Sequence, residues 1–184
     1  TISMNLETLK NHLSTPIIET SSILNEHATD KSYLPPTPPA LLIFPSKTTD
    51  IEHILTYANK TKQPITVQGA LSGKSGGAIP EKGGIAVSFK HMNRILDIDL
   101  QNRCISVEPG VIVDDIKHAI KKHGLCYPPD PASSDWCTIG GTVAENAGGP
   151  CAIKYGVTRD YVLGLEGYFG NGSPFKLGRK CHKD

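Results

Sequence analysis

The chain has 184 residues, 19 Lys and Arg against 18 Asp and Glu, and a formal net charge of +1. That balance excludes the clustered positive charge that nucleic acid or an anionic membrane surface requires. No apolar run approaches membrane-spanning length, and Thr1–Lys10 lacks the charged-then-apolar pattern of a secretory signal, so a cytoplasmic protein without a membrane span is expected. The five cysteines (Cys104, Cys126, Cys137, Cys151 and Cys181) are odd in number and form no C-x-x-C pair. Reduced thiols are therefore expected, with neither a zinc site nor a disulfide framework.

Leu6, Leu9 and Leu13 predict a short amphipathic helix ending before Pro16, and residues 14–39 read as loop. Ala40–Phe44 reads as a strand. Thr49 followed three residues later by Glu52 has capping-box spacing and opens a helix striped by Ile51, Ile54, Leu55 and Ala58. Ile65–Val67 is the next strand, and parallel pairing of these two strands is expected. Gly84–Phe89 is a further strand. Ile95–Asp99 and Cys104–Glu108 alternate around residues 100–103 and predict a hairpin. Val113, Ile116, Ala119 and Ile120 stripe a second long helix, which Gly124 can cap. Val162–Phe169 and Phe175–Leu177 flank Gly170-Asn171-Gly172, another hairpin signal. The fold class is α+β with mixed sheets, divided into an N-terminal helix and linker (1–38) and a main domain (39–184).

Gly and Pro concentrate in long irregular stretches, which inside a domain are usually functional. The first is Gln68-Gly-Ala-Leu-Ser-Gly-Lys-Ser-Gly-Gly77. Such glycines let backbone N–H groups converge on a phosphate. Gly73-Lys74-Ser75 resembles the end of a nucleotide-kinase loop, which needs four residues between its glycines and a helix straight after. Gly69 and Gly73 enclose only Ala70, Leu71 and Ser72, and Gly76-Gly77-Ala78-Ile79-Pro80 is a poor helix start.

The second motif is Val107-Glu-Pro-Gly-Val111, which alone reads as a strand end and turn. The third joins Asp130-Pro-Ala-Ser to Thr138-Ile-Gly-Gly-Thr-Val-Ala-Glu-Asn-Ala-Gly-Gly149 and then Lys154-Tyr-Gly-Val-Thr-Arg-Asp160. Thr138 or Thr142 can cap a short helix whose first amides point at a ligand. Asn146 could equally serve as a helix cap, and Tyr155 as ordinary core.

Together these motifs resemble the FAD-binding family that includes the flavin-carrying subunits of glycolate oxidase, D-lactate dehydrogenases and D-2-hydroxyglutarate dehydrogenases. The resemblance implies a two-lobed fold of the p-cresol methylhydroxylase (PCMH) type. A small N-terminal αβ lobe would accompany a larger lobe of mixed and antiparallel sheet with helices. It implies pyrophosphate contacts from Gln68, Gly69, Ala70, Leu71, Ser72, Gly73, Ser75, Gly76 and Gly77, with Gln68 offering a side-chain donor. Pro109, Gly110 and Val111 would lie beside the adenine end. Pro131, Thr138, Ile139, Gly140, Gly141, Val143, Asn146, Gly148 and Gly149 would border the ribityl chain and flavin ring, with Tyr155, Gly156 and Val157 as further contacts. Leu71 and Lys74 depart from the family loop, as does Gln68, which stands where the family has Arg. Ser72 stands where covalent relatives carry histidine, so FAD should be held without a covalent bond.

The resemblance also implies a flavin-dependent dehydrogenase or oxidase of 2-hydroxyacids of the glycolate or D-lactate type. The expectation is that the chain stops before the family's last FAD-domain strands and before the cap domain that supplies substrate pocket and catalytic base. Accordingly no residue here is assigned as catalytic, and His91, His118, His123 and His182 are not taken as bases. An electron-acceptor or iron–sulfur subunit is the partner implied, and an oligomer is compatible. The alternative is a protein-docking module or remnant with weak or no FAD binding.

Overall fold

The computed structural model describes residues 5–180. The described residues divide into two compact units, residues 5–91 with 167–175, and residues 92–166 with 176–180.

The first unit begins with α1 (Leu6–His12), whose N-cap Asn5 accepts the Thr8 amide at 2.9 Å. The stretch expected to be loop contains two elements, β1 (Ile17–Ile18) and α2 (Ser21–Glu26). After β2 (Leu41–Ile43) comes α3 (Thr48–Thr61), then β3 (Ile65–Gln68) and β4 (Ile85–Ser88). The cap of α3 is not the expected Thr49/Glu52 pair. Asp50 takes the capping role and accepts the amides of Ser46 at 3.0 Å, Lys47 at 3.1 Å and Ser14 at 2.9 Å. Burial pushes the Asp50 carboxyl up, but the Ser14 hydroxyl and these amides outweigh it and hold it below the ordinary carboxylate range.

The sheet order is β1-β2-β4-β3. The direct pairing of β2 with β3 expected from sequence is not formed; each instead lies parallel to β4 in the middle. The physical reason is visible in composition. All four residues of β4, Ile85-Ala-Val-Ser88, are buried, whereas β3 exposes Val67. A strand apolar on both faces belongs in the centre of a parallel sheet. On one face Ile43, Ile85 and Val87 pack with Leu9 of α1 and Ile54, Tyr57 and Ala58 of α3. On the other, Leu42 and Ala86 pack with Leu24 of α2.

In the second unit, β5 (Ile95–Asp99) and β6 (Cys104–Val107) form the expected antiparallel hairpin, with a register shift between Ile95 and Asp97. It leads into α4 (Val113–Lys121), which buries Val113, Ile116 and Ile120. Gly124 follows at φ +70°, the left-handed position for which it was singled out. The short helices α5 (Ile139–Glu145) and α6 (Ala152–Tyr155) complete the second unit's helical part. β7 (Gly164–Tyr168) and β8 (Pro174–Gly178) form the last hairpin.

Candidate flavin-binding segments

The loop after β3 carries a run of open backbone amides in the first unit. Among the described residues, the backbone N–H groups of Ala70, Leu71, Ser72, Gly73 and Lys74 donate no hydrogen bond within the chain. Ala70–Gly73 are half-buried rather than fully exposed. A run of unspent amides on a partly buried loop is costly unless something accepts from it. Leu71 holds φ +59°, a left-handed conformation that disfavours any residue with a Cβ. Gly76 sits at φ +82° with Leu34 directly over it: a Cβ there would meet Leu34 Cδ1 at 2.2 Å. No helix opens after Ser75 among the described residues, and the next regular element is the strand β4. This removes the structural context that a nucleotide-kinase loop needs.

Gln68 plays a different part from the one expected. Its side chain is fully buried, its amide donates to the carbonyls of His27 at 2.9 Å and Ala78 at 2.8 Å, and its oxygen meets His27 Nδ1 at 2.7 Å. Its donors are spent anchoring the two ends of the loop's surroundings, so no side-chain donor is left over for a phosphate.

In the second unit the structure joins the second and third motifs. The Ile139 amide donates to Val111 O at 2.8 Å, Gly140 to Pro109 O at 2.8 Å, and Val113 to Cys137 O at 3.1 Å, around an antiparallel bridge between Ile112 and Thr138. Pro109 and Val111 are thereby stitched to Gly140 and Ile139. Gly140 allows this approach: a Cβ there would meet Pro109 Cβ at 2.8 Å and its carbonyl oxygen at 2.9 Å. The same bonds correct one expectation. Thr138 does cap α5, but its hydroxyl takes the Gly141 amide at 3.3 Å, and the Ile139, Gly140 and Thr142 amides are also spent within the chain. The first turn of α5 therefore contributes shape, not open amides.

Glu108 fixes the near side of this arrangement. It is 6% exposed and accepts from Arg94 through the amide at 2.8 Å, Nε at 3.1 Å and Nη2 at 2.7 Å. The Arg94 side chain holds the Glu108 carboxyl below its usual range, against the opposing effect of burial.

The far side is built by Asn146, Gly148, Gly149 and Pro131. Asn146 ends α5 in the left-handed conformation at φ 50°, and its side chain accepts the Arg159 amide at 3.0 Å. Thr158 is fully buried and donates to Ala147 O through both its amide, at 3.0 Å, and its hydroxyl, at 2.7 Å. Gly149 lies so close to Asp130 and Pro131 that a Cβ would fall 1.9 Å from the Asp130 carbonyl oxygen. Asp130 is in turn ion-paired to Lys117 of α4. Val143 is half-buried on α5. Gly156, at φ +83°, makes room for the Asp160 carboxylate, which accepts the Val157 amide at 2.8 Å. Tyr155 is exposed rather than core, and its carbonyl accepts the Tyr161 hydroxyl at 2.6 Å.

Sequence reasoning missed the contribution of residues 28–37, which lie against the first loop. Their composition signals only irregular chain, and the contact is long-range. Of the histidines set aside as bases, His91 stacks on Phe44 with ring centroids 4.9 Å apart, and His182 lies outside the described residues. No group of three or more His, Cys, Asp or Glu that could hold a metal occurs among the described residues, and no helix there is long and apolar enough to cross a membrane.

Known proteins share these segments. A family model described as an FAD binding domain matches residues 39–178. The chain is 46% identical over 146 residues to glycolate oxidase subunit GlcD of Bacillus subtilis (strain 168), covering 79% of this chain and 31% of that protein. It is 39% identical over 145 residues to D-lactate dehydrogenase of Anaerostipes hadrus, covering 79% and 30%. The chain thus spans about a third of the length of these relatives. Among solved structures, p-cresol methylhydroxylase with bound substrate superposes with a TM-score of 0.78 at 21% identity, covering 94% of this chain and 34% of that one. 6-Hydroxy-D-nicotine oxidase of Arthrobacter nicotinovorans gives 0.77 at 23% identity, covering 90% and 36%. The fold is the α+β architecture of these proteins. The open amides of the first loop suit an anionic diphosphate, so that loop fits the cofactor of the matching family, FAD. On the match over residues 39–178, the chain belongs to the FAD binding domain family.

Proposed function

We propose that the chain is the flavin-holding part of an oxidoreductase acting on 2-hydroxyacids of the glycolate or D-lactate type. The observation that carries this reading is the run of unspent amides from Ala70 to Lys74 on a half-buried loop. The substrate class is supported by the names of the relatives, glycolate oxidase subunit GlcD and D-lactate dehydrogenase. Residues 39–184 form the FAD-binding domain in this reading. Ala70–Gly73 and Gly77 hold the pyrophosphate. Pro109–Val111, Thr138–Gly141, Asn146, Gly148 and Gly149 shape the walls for the rest of the cofactor, with Pro131, Val143, Tyr155, Gly156 and Val157 supporting them.

FAD supplies the two-electron acceptor when bound, while the protein's own part is to position it. Ser72 offers a hydroxyl and no ring nitrogen, which supports attachment without a covalent bond. No described residue is assigned as the base that takes the substrate's proton; that group, and the substrate pocket, are assigned to sequence that the longer relatives possess outside the matched part. The word "subunit" in the name of the Bacillus relative supports an electron-accepting partner protein.

The test is Ser72→Glu, which places a negative charge among the amides. FAD affinity, read by quenching of flavin fluorescence, should fall at least about tenfold, with far-UV circular dichroism unchanged. Undiminished affinity would remove the pyrophosphate from this loop. Acid precipitation of the wild-type complex should leave all flavin in the supernatant.

A further inference from the structure

Residues 28–37 form a clasp on the first loop. The Thr37 amide closes it by donating to Ala28 O at 2.8 Å. The Lys31 amide donates to Gly73 O at 2.9 Å, and Leu34 stands over Gly76. Inside this clasp lies Asp30, 7% exposed. One of its oxygens, Oδ1, accepts the Ser32 amide at 2.8 Å. The other, Oδ2, is buried with no hydrogen-bond partner among the described residues. The two other unpartnered buried atoms, the hydroxyls of Thr15 and Ser88, can rotate and carry no charge. A carboxylate oxygen has neither escape, and folded proteins rarely keep one unsatisfied without use for it.

We infer that Asp30 binds the cofactor directly, its Oδ2 accepting a hydrogen bond from one of the sugar hydroxyls that flank the FAD pyrophosphate. This rests on the flavin reading above. The chemistry selects the donor. A carboxylate repels the phosphates that the neighbouring amides attract, so the two elements divide the ligand, with amides for its anionic oxygens and Asp30 for an adjacent O–H. The clasp must shift to admit the ligand, because Oδ2 is covered. Its outer residues permit that: Tyr33 is fully exposed and Leu34 is 42% exposed, so little apolar area holds the clasp shut.

The inference separates affinity from ligand-free stability. Asp30→Ala removes an uncompensated oxygen from the ligand-free protein and an acceptor from the complex. FAD affinity should fall at least about tenfold; ligand-free stability is read from Asp30→Asn, because Asp30→Ala also strips the Ser32 amide of its acceptor. Asp30→Asn keeps the acceptor for Ser32 and should leave the ligand-free protein as stable as wild type. Two results would overturn the inference: a folded Asp30→Ala chain that binds FAD as wild type does, or a ligand-free melting temperature that falls in Asp30→Asn, which would make Asp30 a structural keystone. A wild-type chain that takes up no FAD refutes the flavin reading first, and this inference with it.

Discussion

Replacing Leu71 tests whether the loop is held in the conformation that exposes its amides. At φ +59° any residue with a Cβ carries a penalty of roughly 1–2 kcal/mol. Glycine escapes it but loses about 0.5–1 kcal/mol more backbone entropy on folding. Leu71→Gly should therefore be more stable than Leu71→Ala by about 0.5–1 kcal/mol, the reverse of their order in a helix or strand. In a chain of 184 residues this corresponds to a melting-temperature difference of about 1–4 °C. Both variants lose the half-buried leucine side chain, about 1 kcal/mol, so Leu71→Gly should come out close to wild type and Leu71→Ala below it. Urea unfolding followed by circular dichroism measures all three. Binding adds a second readout, because the glycine clears a Cβ from the amide run and FAD should bind Leu71→Gly more tightly than wild type. An alanine variant as stable as the glycine one would show that Leu71 is not left-handed in solution and would refute the loop geometry.

Other parts of the account are open to equally direct tests. Gly140→Ala must push Pro109 aside and should cost about 1–3 kcal/mol in urea unfolding. Gly141→Ala meets only Thr138 Oγ1, at 3.2 Å, and should be close to neutral; equal costs would contradict the stitching of the two motifs. Asp50→Asn should lose about 2 kcal/mol at neutral pH. Because the folded carboxyl is held below its ordinary range, its contribution is present above the unfolded value and is lost as pH falls through the folded one. The gap to wild type should thus narrow below about pH 4; a gap that widens there would contradict the sign. Cys137 is buried and its thiol is pushed up by that burial, whereas Cys126 is exposed. Mass-mapped alkylation should label Cys126 at once and Cys137 only on unfolding; equal rates would place Cys137 at the surface.

Much of the fold could be read from periodicity. The stripes Leu6–Leu9–Leu13, Ile54–Leu55–Ala58 and Val113–Ile116–Ile120 became α1, α3 and α4, because each buries one face against a sheet or loop. What escaped was decided by distant partners. The cap of α3 fell to Asp50 rather than Glu52 because Asp50 also collects the Ser14 amide from the N-terminal segment. β4 took the central place because its residues are apolar on both faces, a signal present in Ile85-Ala-Val-Ser88 but outweighed by chain order. The candidate residues were legible from their glycines, yet their roles were not. Gln68 anchors neighbouring backbone, the first amides of α5 are spent on Pro109, Val111 and Thr138, and the loop of Ala70–Lys74 keeps a continuous run of amides open. Asp30 carried no sequence signal at all. Its significance arises from one unpartnered oxygen, which exists only once the clasp is folded.

The central claim is tested most directly by mixing the purified chain with excess FAD, desalting it, and recording the visible spectrum. The account predicts a retained flavin band equivalent to about one FAD per chain, released unmodified by acid, as expected for a cofactor held without a covalent bond. A folded chain that emerges colourless, with no quenching of flavin fluorescence in titration, would contradict it.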